Sequence, residues 1–155
     1  MSLKNAKAHL AKYGLDDRVR LTEESSATVE LAAQALGAEA GRIAKTLAYL
    51  VEDKPVLILA EGTARIDNRK YKDFFHTKAK MIPFDQVETL VGHAPGGVCP
   101  FGINPGIKVY LDISLKKYPS VFPAAGESNS DIELTIPQLE QCSESSGWID
   151  VCKNE

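Results

Sequence analysis

Histidine, cysteine, positive charge and long apolar runs are all in short supply in this sequence, and each shortage removes a class of function. The three histidines, His9, His76 and His93, are scattered. They form none of the paired spacings of a zinc hydrolase, and each reads as a surface or helix-end residue rather than a ligand or base. Three cysteines, Cys99, Cys142 and Cys152, are an odd number at spacings that fit neither a disulfide framework nor a zinc site. Without a Cys-x-x-Cys pair, a thiol redox protein built on Cys99 is the weakest reading, and reduced thiols in a cytoplasmic protein are the expectation. No stretch is apolar enough to span a membrane, and Lys4, Lys7 and His9 interrupt the first ten residues where a secretory signal would need an apolar run. The net charge of -3 argues against gripping long nucleic acid by counterion release, although a small contact at one end of an RNA needs no such excess.

Familiar catalytic signatures are absent as well. The chain has no His-Glu-x-x-His, no Walker loop, no Gly-x-Ser-x-Gly and no Gly-x-Gly-x-x-Gly. Metalloprotease, P-loop NTPase, serine hydrolase and dinucleotide enzyme therefore lose their usual supports. What remains is a chain of 155 residues, 44% hydrophobic and 25% charged, long enough for one core and expected to form one domain over 1–155. Its positive charge is concentrated: Arg65, Arg69, Lys70, Lys72, Lys78 and Lys80 stand against only Asp67 and Asp73. This cluster is either the solvated face of a helix with its flanks or a phosphate-facing patch.

The hydrophobic pattern alternates between helical and extended periods. Leu3, Ala6, Leu10 and Tyr13 predict an opening helix closed near Gly14, followed by a short strand from Arg18 to Thr22. Thr28 is placed to cap a helix over Val29 to Leu36, which Gly37 ends. The apolar runs Lys45 to Val51 and Pro55 to Ala60, joined by Glu52-Asp53-Lys54, predict a core hairpin. Asp67 can cap Asn68 to Phe75 and Asp85 can cap Gln86 to Val91, with a short strand from Ala79 to Ile82 between them. Pro95 to Gly106 must be loop and leads into a strand over Ile107 to Asp112. A short helical piece from Ser114 to Pro119, a strand pair of Val121 to Ala124 with Asp131 to Ile136, and a last helix with Pro137 in its first turn complete the chain. Helices interspersed irregularly among strands predict a mixed α/β, α+β-like architecture rather than a strict βαβ repeat.

Two pieces carry chemistry. Lys45 opens an apolar strand as Lys45-Thr46-Leu47, and Gly96-Gly97-Val98-Cys99-Pro100-Phe101-Gly102 forms a glycine loop half a chain later. One cation and a set of backbone amides are what holding and polarising an anionic ester or phosphate requires. Alone, Lys45 reads as a solvated strand-end lysine, and Cys99 reads as a small loop-packing residue because no His or Asp partner follows it. Together with Gly41-Arg42-Ile43-Ala44 before Lys45, Val56-Leu57-Ile58-Leu59, Ile66-Asp67-Asn68-Arg69-Lys70 and Asp131-Ile132-Glu133-Leu134, they stand in a characteristic order. In that order, from about Thr28 to Leu139, the chain resembles the YbaK/prolyl-tRNA-synthetase-associated family of trans-editing aminoacyl-tRNA deacylases.

That resemblance implies a mixed, partly barrel-like sheet wrapped by short helices, and a pocket for the aminoacyl end of a tRNA. It makes Lys45 the lysine that holds a phosphate or the ester, and Gly96 and Pro100 the ends of a Gly-x-x-x-Pro loop whose amides polarise the carbonyl. Asp131 becomes a pocket aspartate that positions the substrate amine or a water, with Thr46, Gly97 and Val98 as further substrate contacts. The implied reaction is hydrolysis assisted by the substrate's own hydroxyl or thiol, with no metal and no cofactor. The implied partners are the acceptor end of a mischarged tRNA and a synthetase, with no part for DNA or a membrane. Thr46 resembles the YbaK-type Lys-Thr-Leu rather than the Lys-Asn of the alanine-editing branch, while Ala124 stands where close YbaK relatives carry serine. A non-catalytic tRNA- or synthetase-binding module of the same fold is the alternative.

Overall fold

The computed structural model describes residues 2–22 and 28–153. Its first helix, α1 (Ser2–Ala11), buries Ala6 and Leu10 completely, and a 3-10 turn at Asp16–Arg18 leads into the two-residue strand β1 (Arg20–Leu21). In α2 (Val29–Leu36) the Leu31 amide donates to the Thr28 hydroxyl at 3.1 Å, and Gly37 ends the helix at a φ of 65°. Both ends follow the sequence expectation, since a hydroxyl satisfies an orphan amide and a left-handed residue turns the chain away.

The central hairpin consists of β2 (Ile43–Val51) and β3 (Lys54–Glu61), paired antiparallel from Ala44↔Glu61 to Val51↔Lys54. Glu52 and Asp53 both take positive φ, 51° and 64°, which matches the right-handed twist of the flanking strands. After β4 (Arg65–Ile66), the Asp67 carboxylate accepts from the Arg69 and Lys70 amides at 3.0 and 3.1 Å and starts α3 (Asn68–Phe75). The expected helix from Gln86 is shorter than predicted. Phe84–Gln86 is a 3-10 turn, α4 covers only Val87–Val91, and Asp85 makes no cap, because the turn has already consumed the residues it would have served.

The rest of the chain supplies β5 (Lys108–Asp112), a 3-10 turn at Ile113–Lys117, β6 (Ser120–Pro123), β7 (Ser130–Asp131), β8 (Leu134–Thr135), α5 (Ile136–Cys142), β9 (Gly147–Ile149) and β10 (Cys152–Lys153). The predicted pairing of Val121 to Ala124 with Asp131 to Ile136 is divided between two partners. Ser120 and Val121 pair with Thr135 and Leu134, whereas Ser130 and Asp131 pair with Leu21 and Arg20. An Arg20–Asp131 ion pair and a bond from the Thr22 amide to the Asn129 carbonyl hold that segment against β1.

Six strands form one mixed sheet in the order β8-β6-β2-β3-β5-β9, curled into a half-barrel. Because side chains alternate along a strand, β3 serves two cores. Leu57 and Leu59 pack with α1, α4 and α5 on one face, while Val56, Ile58 and Ala60 pack with Tyr71 of α3, Val151 and Cys152 on the other. Among the described residues no helix is long and apolar enough to cross a membrane.

Candidate active site

The site lies at an interruption in the pairing of β2. On the edge away from β3, β6 pairs only with Ile43 and Ala44. Farther along the same edge, the Leu50 amide donates to the Lys80 carbonyl at 2.8 Å and the Ile82 amide to the Ala48 carbonyl at 3.1 Å. Backbone groups alternate between the two edges of a strand, so the N–H and C=O of Thr46 face the gap between these two neighbours. A cavity of about 540 Å³ opens there, bounded by β2, α2, the 81–87 segment and the loop that begins at Pro95.

Lys45, the third residue of β2, is half-buried rather than solvated at a strand end. Its ammonium donates to the Ala64 carbonyl and lies 3.4 Å from that of Gly62. Burial lowers its pKa, with Cys152 and Glu61 acting in the opposite direction. Thr46 lines the same cavity, and its buried hydroxyl has no hydrogen-bond partner among the described residues. Asp131, 5% exposed, presents Oδ1 to Arg20 Nε at 3.1 Å and Nη2 at 2.8 Å. The guanidinium groups of Arg20 and Arg42 lie 5.6 and 4.9 Å from the ring centre of Phe122, another cavity wall.

Gly96 and Val98 reach the cavity, and the φ of 94° at Gly96 favours a residue without a side chain. The two other loop residues expected at the substrate are placed elsewhere. The Gly97 amide donates to the Ala94 carbonyl at 3.0 Å, and a Cβ on Gly97 would stand 2.7 Å from the Gly126 carbonyl. Gly97 is therefore an internal packing residue of the loop. Pro100 lines a second, smaller cavity with His9 and Ser143, away from Lys45. One cavity thus gathers Lys45, Thr46, Gly96, Val98 and Asp131, but not Gly97 or Pro100. Sequence reasoning missed Arg20, whose partner Asp131 lies 111 residues away, beyond any local spacing signal.

Behind the loop sit two groups that could be mistaken for a catalytic pair. Cys99 is fully buried, and that burial pushes its thiol up to about 12. Its sulfur lies 3.5 Å from His93 Nε2, which is itself 2.6 Å from the Phe101 carbonyl. A carbonyl can only accept, so Nε2 carries the hydrogen and cannot take the thiol's proton. Cys99 packs the loop, as expected. His93 does follow a helix end, but it is wholly buried, because the loop folds over it. His9 is a helix-end residue as expected, in the last turn of α1 and bonded to the Cys142 carbonyl at 2.6 Å, and His76 ends α3 in the open. Within the basic cluster, Lys70 is tied to Asp150 and the Cys152 carbonyl, each at 3.0 Å, while Lys78 and Lys80 remain exposed.

The model of the aminoacyl-tRNA editing domain family matches residues 23–142. An uncharacterized Bacillus subtilis protein, YwhH, is 47% identical over 99% of each chain. A proposed Cys-tRNA(Pro)/Cys-tRNA(Cys) deacylase, EbsC of Enterococcus faecalis, is 30% identical over 72% of this chain and 69% of its own. Among solved structures, the crystal structure of a proposed trans-editing enzyme for prolyl tRNA synthetase superposes with a TM-score of 0.88 at 30% identity, covering 99% of this chain and 98% of that one.

Proposed function

This chain belongs to the aminoacyl-tRNA editing domain family, and on that premise we propose that it is a trans-editing deacylase. Its substrate is a mischarged tRNA of the Cys-tRNA(Pro) type or one bearing a related small amino acid. The observation that carries this reading is the cavity that gathers a half-buried lysine, an unpartnered threonine hydroxyl, a left-handed glycine and a nearly buried aspartate. Its volume falls within the range of about 300–1,000 Å³ common to small-molecule sites.

In the proposed reaction Lys45 holds the terminal phosphate or the ester oxygen. The amides of Gly96 and Val98 polarise the carbonyl, a task from which Gly97 is withdrawn by its bond to Ala94. Asp131, its first oxygen held by Arg20, turns the second toward the substrate amine or a water. The substrate supplies the activation, since Cys99 is buried and neutral at ordinary pH. Either a neighbouring ribose hydroxyl orients and deprotonates an attacking water, or a cysteinyl thiol attacks its own carbonyl. In the second case the ester C–O bond breaks with the ribose oxygen leaving as a hydroxyl, and water opens the resulting thiolactone. Orientation of that kind is worth roughly 7 to 11 kcal/mol of a barrier. Each well-placed oxyanion donor adds about 3 kcal/mol, enough for an ester without a metal. Specificity rests on small differences in the wall, Ala124 included, since one methylene separates substrates by only about 1 to 3 kcal/mol.

The protein acts in the cytoplasm on the acceptor end, with a synthetase holding the rest of the tRNA. The deciding experiment incubates the protein with a panel of mischarged tRNAs and follows release of free amino acid. Release from one or a few small-amino-acid pairs is the expected result. Binding without release from any pair would instead identify a non-catalytic module.

A further inference from the structure

Phe84 and Met81 are 80% and 62% exposed, the two most exposed large apolar side chains among the described residues. Both stand in the wall of the cavity that holds Lys45 and Gly96. Their backbone is fixed: the Ile82 amide is bonded to β2, and Phe84 begins the 3-10 turn that follows Pro83. An aromatic ring exposed to water in the wall of this largely apolar cavity makes a ledge for a flat ligand. Exposed Lys78 and Lys80 immediately precede this ledge in the chain, and exposed Asp85 and Glu88 follow it.

The occupant follows from the chemistry of the substrate. An ester on the last ribose of a nucleic acid carries its base on the same sugar, so with the acyl carbonyl against Gly96 the base falls to another part of the same cavity wall, which includes Met81 and Phe84. Two side chains are too few for a stable protein interface, which buries about 800 Å² per partner, whereas one ring covers one base. Resting on the deacylase reading, we propose that Phe84, flanked by Met81, stacks the terminal nucleobase of the substrate's single-stranded 3′ end. Lys78 and Lys80 supply positive charge beside it for the adjoining phosphates.

The test uses the full chain with two readouts: NMR titration with the unacylated trinucleotide CCA, and deacylation kinetics on a mischarged tRNA that the wild type hydrolyses. Phe84→Ala should weaken CCA binding by about tenfold and raise KM by a similar factor while moving kcat less than twofold, and Phe84→Trp should keep both near wild type. Equal CCA affinity in the wild type and Phe84→Ala, or no CCA binding by the wild type, overturns the proposal even when deacylation is strong. If the wild type hydrolyses no aminoacyl-tRNA but binds CCA through Phe84, the stacking stands and the deacylase reading fails. Should Phe84→Ala turn a dimer into a monomer by light scattering and leave CCA binding unchanged, the ledge is a subunit contact and the proposal falls.

Discussion

At the scale of the residue, Lys45 concentrates the functional argument because it is costly where it stands. Burial works against its charge, and the carbonyls of Gly62 and Ala64 offset only part of that cost. A lysine kept under those terms is expected to act through its charge. Lys45→Ala should lower deacylation by about a hundredfold or more while the protein stays folded by circular dichroism. Lys45→Arg should also lose most activity, since a planar fork replaces a compact point charge. Undiminished turnover in a folded Lys45→Ala protein removes the residue from the mechanism. The pH dependence has a defined sign. Activity that needs the ammonium should fall as pH rises through a folded-state pKa lying below the ordinary 10.5. Stability moves the other way: below the lowered pKa the buried charge is a full burden, and between it and 10.5 the unfolded chain binds the extra proton, so stability rises. Thermal melts across that alkaline range should show the gap between wild type and Lys45→Met closing.

At the scale of the element, variants in the loop from Pro95 to Pro100 distinguish catalysis by backbone amides from catalysis by a protein thiol. Gly96 sits at a φ of 94° beside the cavity, so Gly96→Ala forces strain into the peptide proposed to hold the ester and should reduce turnover sharply. Cys99→Ser replaces a buried, neutral thiol and should have a modest effect. Steady-state kinetics of the two variants provide the contrast: an inactive Cys99→Ser beside an active Gly96→Ala would mean that catalysis runs through a protein thiol. Local chemistry made many elements legible beforehand. The caps at Thr28 and Asp67, the left-handed ends at Gly37 and the β2–β3 hairpin all depend on neighbours within a few residues. The site was legible only in part, because its shape is set at a distance. Gly97 was expected to face the substrate, but its contact with Gly126 and its bond to Ala94 exist only once the two loops meet. Likewise the opening beside Thr46 depends on where β6 stops pairing with β2, and no run of residues in β2 records that.

At the scale of the whole molecule, charge limits how the protein can meet a tRNA. A chain of net charge -3 carries no field that would draw in a polyanion along its length. Part of the sequence's basic cluster is also spent internally, as the bonds of Lys70 to Asp150 and the Cys152 carbonyl show. If the single-stranded end meets Lys45 in the cavity and Lys78 and Lys80, which precede Phe84 in the chain, about three cations are engaged, which corresponds to a slope of about -2 in log affinity against log salt. The isolated protein should therefore bind whole tRNA weakly, with a Kd of about 10 μM or more at physiological salt, in the range of non-specific contacts. Fluorescence anisotropy over a salt series measures both quantities. Replacing Lys78 and Lys80 together by Ala should flatten the slope, and adding a cognate synthetase should tighten the complex if that partner grips the rest of the tRNA. Nanomolar binding by this chain alone at physiological salt, or a slope demanding many phosphates, would mean that a larger tRNA surface is recognised and that the acceptor-end account is wrong.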